Sequence, residues 1–312
     1  MNTVHTLHAS PLQTIRKTVG WLLRFGILLV LYFILFAAGG GLVAPYLPNT
    51  AAEPGPLPMM TSLVIVCAAT VLVIMLMIYS SRWHGWKSIV AIALAYYLVV
   101  TLVMQLETWY FLHGITVSTE LLLRLFLQGL PVAFLFVPLA VVIMGRVHPL
   151  KGVQESPEIV PMTLKESVWK LGVIYIAYLA LYYSAGYFIA WQNEEVRAFY
   201  GSPGEALPFL QHMANVFAND PWLTPFQLLR TLIWVVGALP VIRGSRLPLW
   251  QTALVVGLML SVPQNIGHIL SNPLIPFNSV RISHLIETAS STFIFGLIMT
   301  RLLYPKYIHQ KS

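Results

Sequence analysis

The residues whose types and spacing most suggest chemistry lie near the C-terminus. Arg281, His284 and Glu287 recur at intervals of three within one apolar stretch, so they descend one side of a helix. At 1.5 Å per residue, Glu287 lies about 9 Å below Arg281. A carboxylate at that depth in a membrane needs a partner, and a neighbouring imidazole can orient or exchange a proton. We therefore predict a functional role for Glu287 together with His284.

Other ionisable residues fall near one end of further apolar stretches. The full predicted substrate-binding set is Glu107, Arg124, Arg230, His268, Arg281, His284 and Glu287. Three arginines on three helices suit a phosphate or carboxylate group, which guanidinium binds in a forked geometry. The alternative is that each arginine extends to lipid head groups and that the two glutamates simply pair with arginines.

A metal site is a second interpretation of the same residues. His268, His284 and Glu287 would supply three ligands from two helices, with Glu107 as a fourth ligand or a base. The spacing does not match H-E-x-x-H, and the sequence contains no phosphate-binding loop or nucleophile elbow. We therefore predict no metal ion and no cofactor, and the sequence assigns no residue a catalytic role.

The composition identifies the class of protein that must position these residues. Of 312 residues, 57% are apolar and 9% are charged, and the mean hydropathy is +0.75. Soluble domains have about a quarter charged residues, so a soluble or disordered chain is excluded. The basic residues form no stripe of the kind that binds nucleic acid, and the single cysteine, Cys67, excludes an intrachain disulfide. The prediction is an all-α integral membrane protein whose direct partner is the lipid bilayer.

Eight apolar stretches are long enough to cross about 30 Å of hydrocarbon. They cover residues 20–43, 59–80, 88–106, 121–144, 168–190, 226–242, 249–270 and 281–302. With the N-terminus in the cytoplasm, all Lys and Arg residues but four fall on the cytoplasmic side, as the positive-inside rule requires. The four exceptions are Arg124, Arg197, Arg230 and Arg281. We predict eight transmembrane helices with both the N-terminus and the C-terminus cytoplasmic.

The two halves of the chain resemble each other around one turn. Ser81-Arg82-Trp83 precedes the third span, and Ser245-Arg246-Leu247 precedes the seventh, which is the third of its own half. Four helices per half give both halves the same orientation, which is a parallel 4+4 repeat; the alternative is chance similarity between apolar helices. The predicted organisation is a first four-helix unit at 1–148, a cytoplasmic linker at 149–166 and a second four-helix unit at 167–312.

The longest connection between spans, the outer loop 192–225, has a pattern of its own. Between Glu205 and Phe217 the apolar residues gather on one face of a helix. This pattern is typical of an amphipathic helix in the outer membrane interface, and equally of a helix packed on the mouth of the bundle. The loop 192–225 is also the candidate contact surface for a protein partner.

Three functions are compatible with these patterns. The leading expectation is outward-facing binding of a small anionic or lipid-linked substrate, followed by transport or flipping. One alternative is a membrane-embedded enzyme that uses His284 and Glu287. Another is a non-catalytic assembly or scaffold protein. The nearly apolar inner halves of the helices count against a continuous conduit, and the expected location is a bacterial cytoplasmic (inner) membrane.

Overall fold

The computed structural model describes residues 11–149 and 159–307, and within these ranges the chain is helical, without β-strands. Eight of its helical segments are long and apolar enough to cross a membrane. Numbered as spans one to eight, they are Lys17–Tyr46, Met59–Ser80, Gly85–Leu112, Thr119–Ile143, Leu164–Ala190, Leu223–Arg243, Leu249–Ile269 and Asn278–Leu303. The predicted all-α, multi-pass class is thereby confirmed. Half of the predicted linker 149–166, namely residues 150–158, lies outside the described residues.

Several spans are not single α-helices. The α-helices are, in chain order, α1 (Pro11–Val43), α2 (Met59–Ser80), α3 (Gly85–Tyr96), α4 (Val103–Leu112), α5 (Thr119–Gln128), α6 (Val137–Ile143), α7 (Leu164–Ala185), α8 (Glu194–Phe199), α9 (Phe209–Asn219), α10 (Leu223–Arg243), α11 (Leu249–Asn265) and α12 (Asn278–Leu303). Segments of π-helix at Tyr97–Leu102, Val132–Phe136 and Gly186–Ala190 interrupt the third and fourth spans and end the fifth. Such wide turns are frequent at functional sites, and the third of them lines the cavity described below.

The bundle has two distinct ends. Because the number of spans is even, the first span begins and the eighth ends on the same side, which we call the terminal end. The connection between the fifth and sixth spans lies on the opposite side, which we call the cavity end.

Two turns at the terminal end pair with each other. The backbone N–H of Arg82 donates to the Gly244 carbonyl at 2.7 Å, and the N–H of Arg246 donates to the Ser80 carbonyl at 2.8 Å. The Arg82 guanidinium adds a bond of 2.9 Å to the Ser245 carbonyl. The two turns that resemble each other in sequence therefore exchange equivalent bonds, and these bonds join the two halves of the bundle.

The eighth span is central. Helix α12 packs against α7, α8, α10 and α11. Its approach to α11 is closest where Gly296 meets Gly257, since a Cβ atom added to Gly296 would lie 2.7 Å from the Gly257 Cα. Small residues permit such close approach of membrane helices. As a result, Arg281 and Glu287 are buried in protein.

The connection between the fifth and sixth spans folds onto the cavity end and contains α8 and α9. Arg197, which is buried in α8, donates to the backbone carbonyls of Gly204 and Trp191, both at 2.7 Å, and of Gln192 at 3.2 Å. These carbonyls would otherwise lack partners in the loop. The guanidinium of Arg197 is therefore used to hold the loop in place.

Candidate functional site

A cavity of about 780 Å³ opens at the cavity end. Helices α4, α7, α8, α9 and α12 contribute its walls, together with the π-helical turn Gly186–Ala190. Aromatic residues make up much of the lining: Phe111, Tyr182, Tyr183, Tyr187, Trp191 and Tyr200. The size and the mixture of apolar walls with a few polar groups are typical of a small-molecule or peptide site.

Three of its side chains form a hydrogen-bonded chain. The Nδ1 atom of His284 lies 2.9 Å from Oε2 of Glu287, and its Nε2 atom lies 3.1 Å from the hydroxyl of Tyr200. A neutral imidazole satisfies both contacts when Nδ1–H donates to the carboxylate and Nε2 accepts the tyrosine O–H. Burial raises the pKa of Tyr200, so its phenol keeps the proton that this arrangement needs.

The other oxygen of Glu287 is directed at the wall of the cavity. A Cβ atom added to Gly186 would lie 3.4 Å from Oε1 of Glu287. Any longer side chain at position 186 would therefore cover this oxygen. Glu287 as a residue is 8% exposed, so it is shielded from bulk water, yet it lines the cavity.

A second carboxylate, Glu107, lies on the same cavity and forms an ion pair. Its Oε2 lies 2.5 Å from Nη2 of Arg230, a residue that is 3% exposed. Gln227 Oε1 accepts a further bond from Arg230 Nη1 at 3.0 Å, and the guanidinium lies 5.0 Å from the Trp234 ring centroid. The positive charge of Arg230 is thus already neutralised and held within the protein.

A small chamber of about 20 Å³ adjoins the cavity and shares Glu107, Tyr182 and Glu287 with it. A volume of about 10–15 Å³ is the least that holds one water molecule. Gln264 also lines the chamber, and its amide nitrogen donates to the Leu260 carbonyl. Among the described residues, the buried amide oxygen of Gln264 has no hydrogen-bond partner. The chamber therefore presents acceptor oxygens and suits a small hydrogen-bond donor.

The rim of the cavity is acidic. Glu205 and Asp220 line it, and the Tyr110 hydroxyl donates to Asp220 at 2.6 Å. His212 of α9 faces the same space, and burial lowers the pKa of its imidazole, so that it is neutral near pH 7. Since Arg197 and Arg230 are both engaged, this lining offers an incoming anion little positive charge.

The structure brings together some of the residues predicted from sequence. Glu107, His284 and Glu287 line the cavity, and Arg230 lines the small chamber. His268 lies next to this group, with its ring centroid 6.4 Å from that of His284, but it lines neither space. Its Nδ1 atom is 2.9 Å from the Asn265 carbonyl oxygen.

The two remaining predicted residues lie elsewhere. Arg124 pairs with Glu120 at 3.5 Å, and its guanidinium lies 3.5 Å from the centroid of the Tyr46 ring. Arg281 is fully buried and donates to the carbonyls of Glu53 at 2.8 Å and Pro276 at 2.7 Å. Arg281 therefore joins the connection between the first two spans to the start of α12. The expected convergence of three arginines on one anion site is not found.

Sequence reasoning did not place Tyr200, Gly186 or Gln264 in the site. Tyr200 lies in a loop far from His284 in the chain, and no spacing rule connects the two. Gln264 does carry a signal, since it is a polar residue in an apolar span. Its place beside Glu107 and Glu287, however, depends on how α11 packs against other helices, which the sequence does not show.

The metal interpretation finds no support in the geometry. Over residues 11–149 and 159–307, no three side chains of His, Cys, Asp or Glu come close enough to hold a metal ion. His268 and His284 are near each other, but each is engaged in the hydrogen bonds given above.

Comparison of this chain with protein-family models, with curated proteins and with solved structures finds no match.

Proposed function

We propose that the protein is a membrane-embedded enzyme that hydrolyses a substrate bound in the cavity, with Glu287 as the general base. The observation that carries this proposal is the one-water chamber beside the cavity, lined by both Glu107 and Glu287. A carboxylate that is shielded from bulk solvent and adjoins a water-sized space can remove a proton from that water. Hydrolysis is the reaction class that needs this arrangement.

The neighbouring groups have supporting roles in this reaction. Glu287 takes one proton of the water while the water oxygen attacks the electrophilic atom of the substrate. The bond between that atom and the leaving group then breaks, and Glu287 returns the proton to the leaving group. His284 donates through Nδ1 to the carboxylate and so fixes its orientation, while Tyr200 selects the required tautomer. The ion pair of Glu107 and Arg230 also lines the chamber.

Transport of an anion, the leading expectation from sequence, has less support. The buried arginines near the cavity are engaged by Glu107 and by backbone carbonyls. Towards the terminal end the interior is filled by Tyr178, Trp234 and Phe295, whose ring centroids lie 5.0–5.6 Å apart. A scaffold role is also less favoured, because the loop 192–225 folds onto the bundle and encloses a cavity.

Isotope incorporation separates hydrolysis from transport. Membranes that contain the chain are incubated in H₂¹⁸O, and their lipid and peptide extracts are compared by mass spectrometry with those of chain-free membranes. Hydrolysis places solvent ¹⁸O in a product, whereas transport or flipping moves an intact molecule. We expect labelled products that depend on the chain. Extracts with identical labelling in both preparations would contradict the proposal.

The orientation and organisation proposed with this function are those expected from sequence. The cavity end faces outwards, both termini are cytoplasmic, and the membrane is a bacterial cytoplasmic membrane. The exchange of bonds between the Arg82 and Arg246 turns is consistent with a parallel repeat of units 1–148 and 167–312, joined by the linker 149–166.

Cysteine labelling tests the orientation. In a Cys67→Ala background, a cysteine at exposed Ser202 should react with a membrane-impermeant thiol reagent added to whole cells. A cysteine at Lys87, which is exposed at the terminal end, should react after the cells are opened. The opposite pattern would place the cavity in the cytoplasm and contradict the orientation.

A further inference from the structure

Helix α9 has three different sides. At about 100° per residue, Phe209, His212, Met213 and Val216 fall on one side, and these are its partly buried residues. Leu210, Ala214 and Phe217 fall on the next side, and Leu210 and Phe217 are 80% and 51% exposed. Gln211, Asn215 and Asn219 occupy the third side and are exposed as well. One side therefore faces protein, one is apolar and uncovered, and one is polar.

Exposed apolar residues of two spans adjoin the two ends of α9. Phe188, near the end of the fifth span, is exposed and stacks on Phe209 with ring centroids 5.2 Å apart. At the other end, Trp222 is 73% exposed and directly precedes the sixth span, where Leu228 and Leu229 are exposed in turn. Phe188, Leu228 and Leu229 belong to segments that are long and apolar enough to cross a membrane, so exposed apolar surface adjoins α9 at both of its ends.

Few polar contacts hold α9 to the bundle. The Tyr187 hydroxyl donates to the Leu207 carbonyl at 2.7 Å just before the helix, and the Tyr110 hydroxyl donates to Asp220 just after it. No side chain of α9 is fully buried in the protein. Phe217 packs edge-on against Tyr183, with ring centroids 5.3 Å apart, but it remains 51% exposed, and Leu210 is 80% exposed. Another apolar environment must therefore cover the exposed part of this side.

We propose that α9 lies in the interface of the lipid leaflet at the cavity end, with Leu210 and Phe217 among the acyl chains and Gln211 and Asn215 in water. A helix with an apolar side, a polar side and an adjacent tryptophan is the type that binds at this depth. On its protein-facing side, His212, Met213 and Val216 line the cavity, and Asn215 lines it from the adjoining polar side. The lipid leaflet therefore supports one wall of the cavity. This placement of α9 does not depend on whether the site is hydrolytic.

Collision measurements on spin labels test this placement. Single cysteines at Leu210, Phe217, Gln211 and Asn215, in the Cys67→Ala background, carry a nitroxide in the full chain reconstituted into phosphatidylcholine vesicles. Oxygen concentrates in the acyl region, and a neutral nickel complex concentrates in water. We expect labels at 210 and 217 to collide with oxygen and to lose collisions with nickel, and labels at 211 and 215 to show the reverse.

Two reference positions calibrate the measurement. A label at Leu228 reports a lipid-facing span, and a label at Ser202 reports an exposed loop. Nickel collisions at 210 and 217 as frequent as those at 202 would overturn the proposal, because the helix would then stand in water. Low accessibility to both reagents at 210 and 217 would also overturn it, and would show that a protein partner or a second copy covers this side.

Discussion

Replacing Glu287 by glutamine should lower the rate of ¹⁸O incorporation by about 10²- to 10⁴-fold, the usual contribution of a general base. Glutamine keeps the size of the side chain, and its carbonyl oxygen still accepts the hydrogen bond from Nδ1 of His284. It cannot take a proton from water. The yield and the melting temperature of the purified variant should therefore stay close to those of the native chain.

Two further variants show whether the carboxylate itself is responsible. Glu120→Gln removes a carboxylate that is exposed on α5, pairs with Arg124 and does not line the cavity, so its rate should equal that of the native chain. Glu287→Asp keeps the carboxylate on a shorter side chain and should retain part of the rate. A native rate in a folded Glu287→Gln variant would remove Glu287 as the base, and the hydrolytic proposal with it.

The number of spans could be predicted from sequence because it depends on local composition. A run of about 20 apolar residues must be helical in a bilayer, whatever surrounds it. The ends of the spans depend on tertiary partners. The third span was predicted to stop at residue 106, yet it continues through Leu112. Glu107 can lie inside this helix because Arg230 neutralises it, and Tyr110 stacks on Phe226 with ring centroids 4.2 Å apart.

The candidate site could be predicted in part, because one of its contacts depends on local sequence alone. His284 and Glu287 are three residues apart on one helix, so their contact is local and the sequence predicts it. Arg281 is on the same helix, but its partners include the Glu53 and Pro54 carbonyls, more than 220 residues earlier in the chain. Nothing in the spacing of α12 reveals that those carbonyls are present. An arginine predicted to bind substrate therefore has a structural role instead.

The ion pair between Arg230 and Glu107 should be the most sensitive point in the stability of the bundle. Arg230→Met removes the positive charge and leaves the Glu107 carboxylate without its partner next to the chamber. Breaking a buried pair from one side costs about 3–5 kcal/mol, because an uncompensated charge remains. We expect a loss of that order in the free energy of unfolding, measured by denaturant titration in bicelles.

Two comparisons separate the stability lost to the unpaired Glu107 carboxylate from the stability lost with the arginine side chain. In the double variant Glu107→Gln with Arg230→Met no charge is left unpaired, so most of the lost stability should return. Arg124→Met is the matched control, since Arg124 forms a more exposed ion pair with Glu120 and a cation–π contact with Tyr46. The pair contributes about 0–1 kcal/mol and the ring contact about 0.5–1 kcal/mol, so the control should lose about 2 kcal/mol at most, less than Arg230→Met. If Arg230→Met were as mild as Arg124→Met, bulk water would already solvate the Glu107 carboxylate, and the chamber would lack the shielding from bulk solvent on which the proposed chemistry depends.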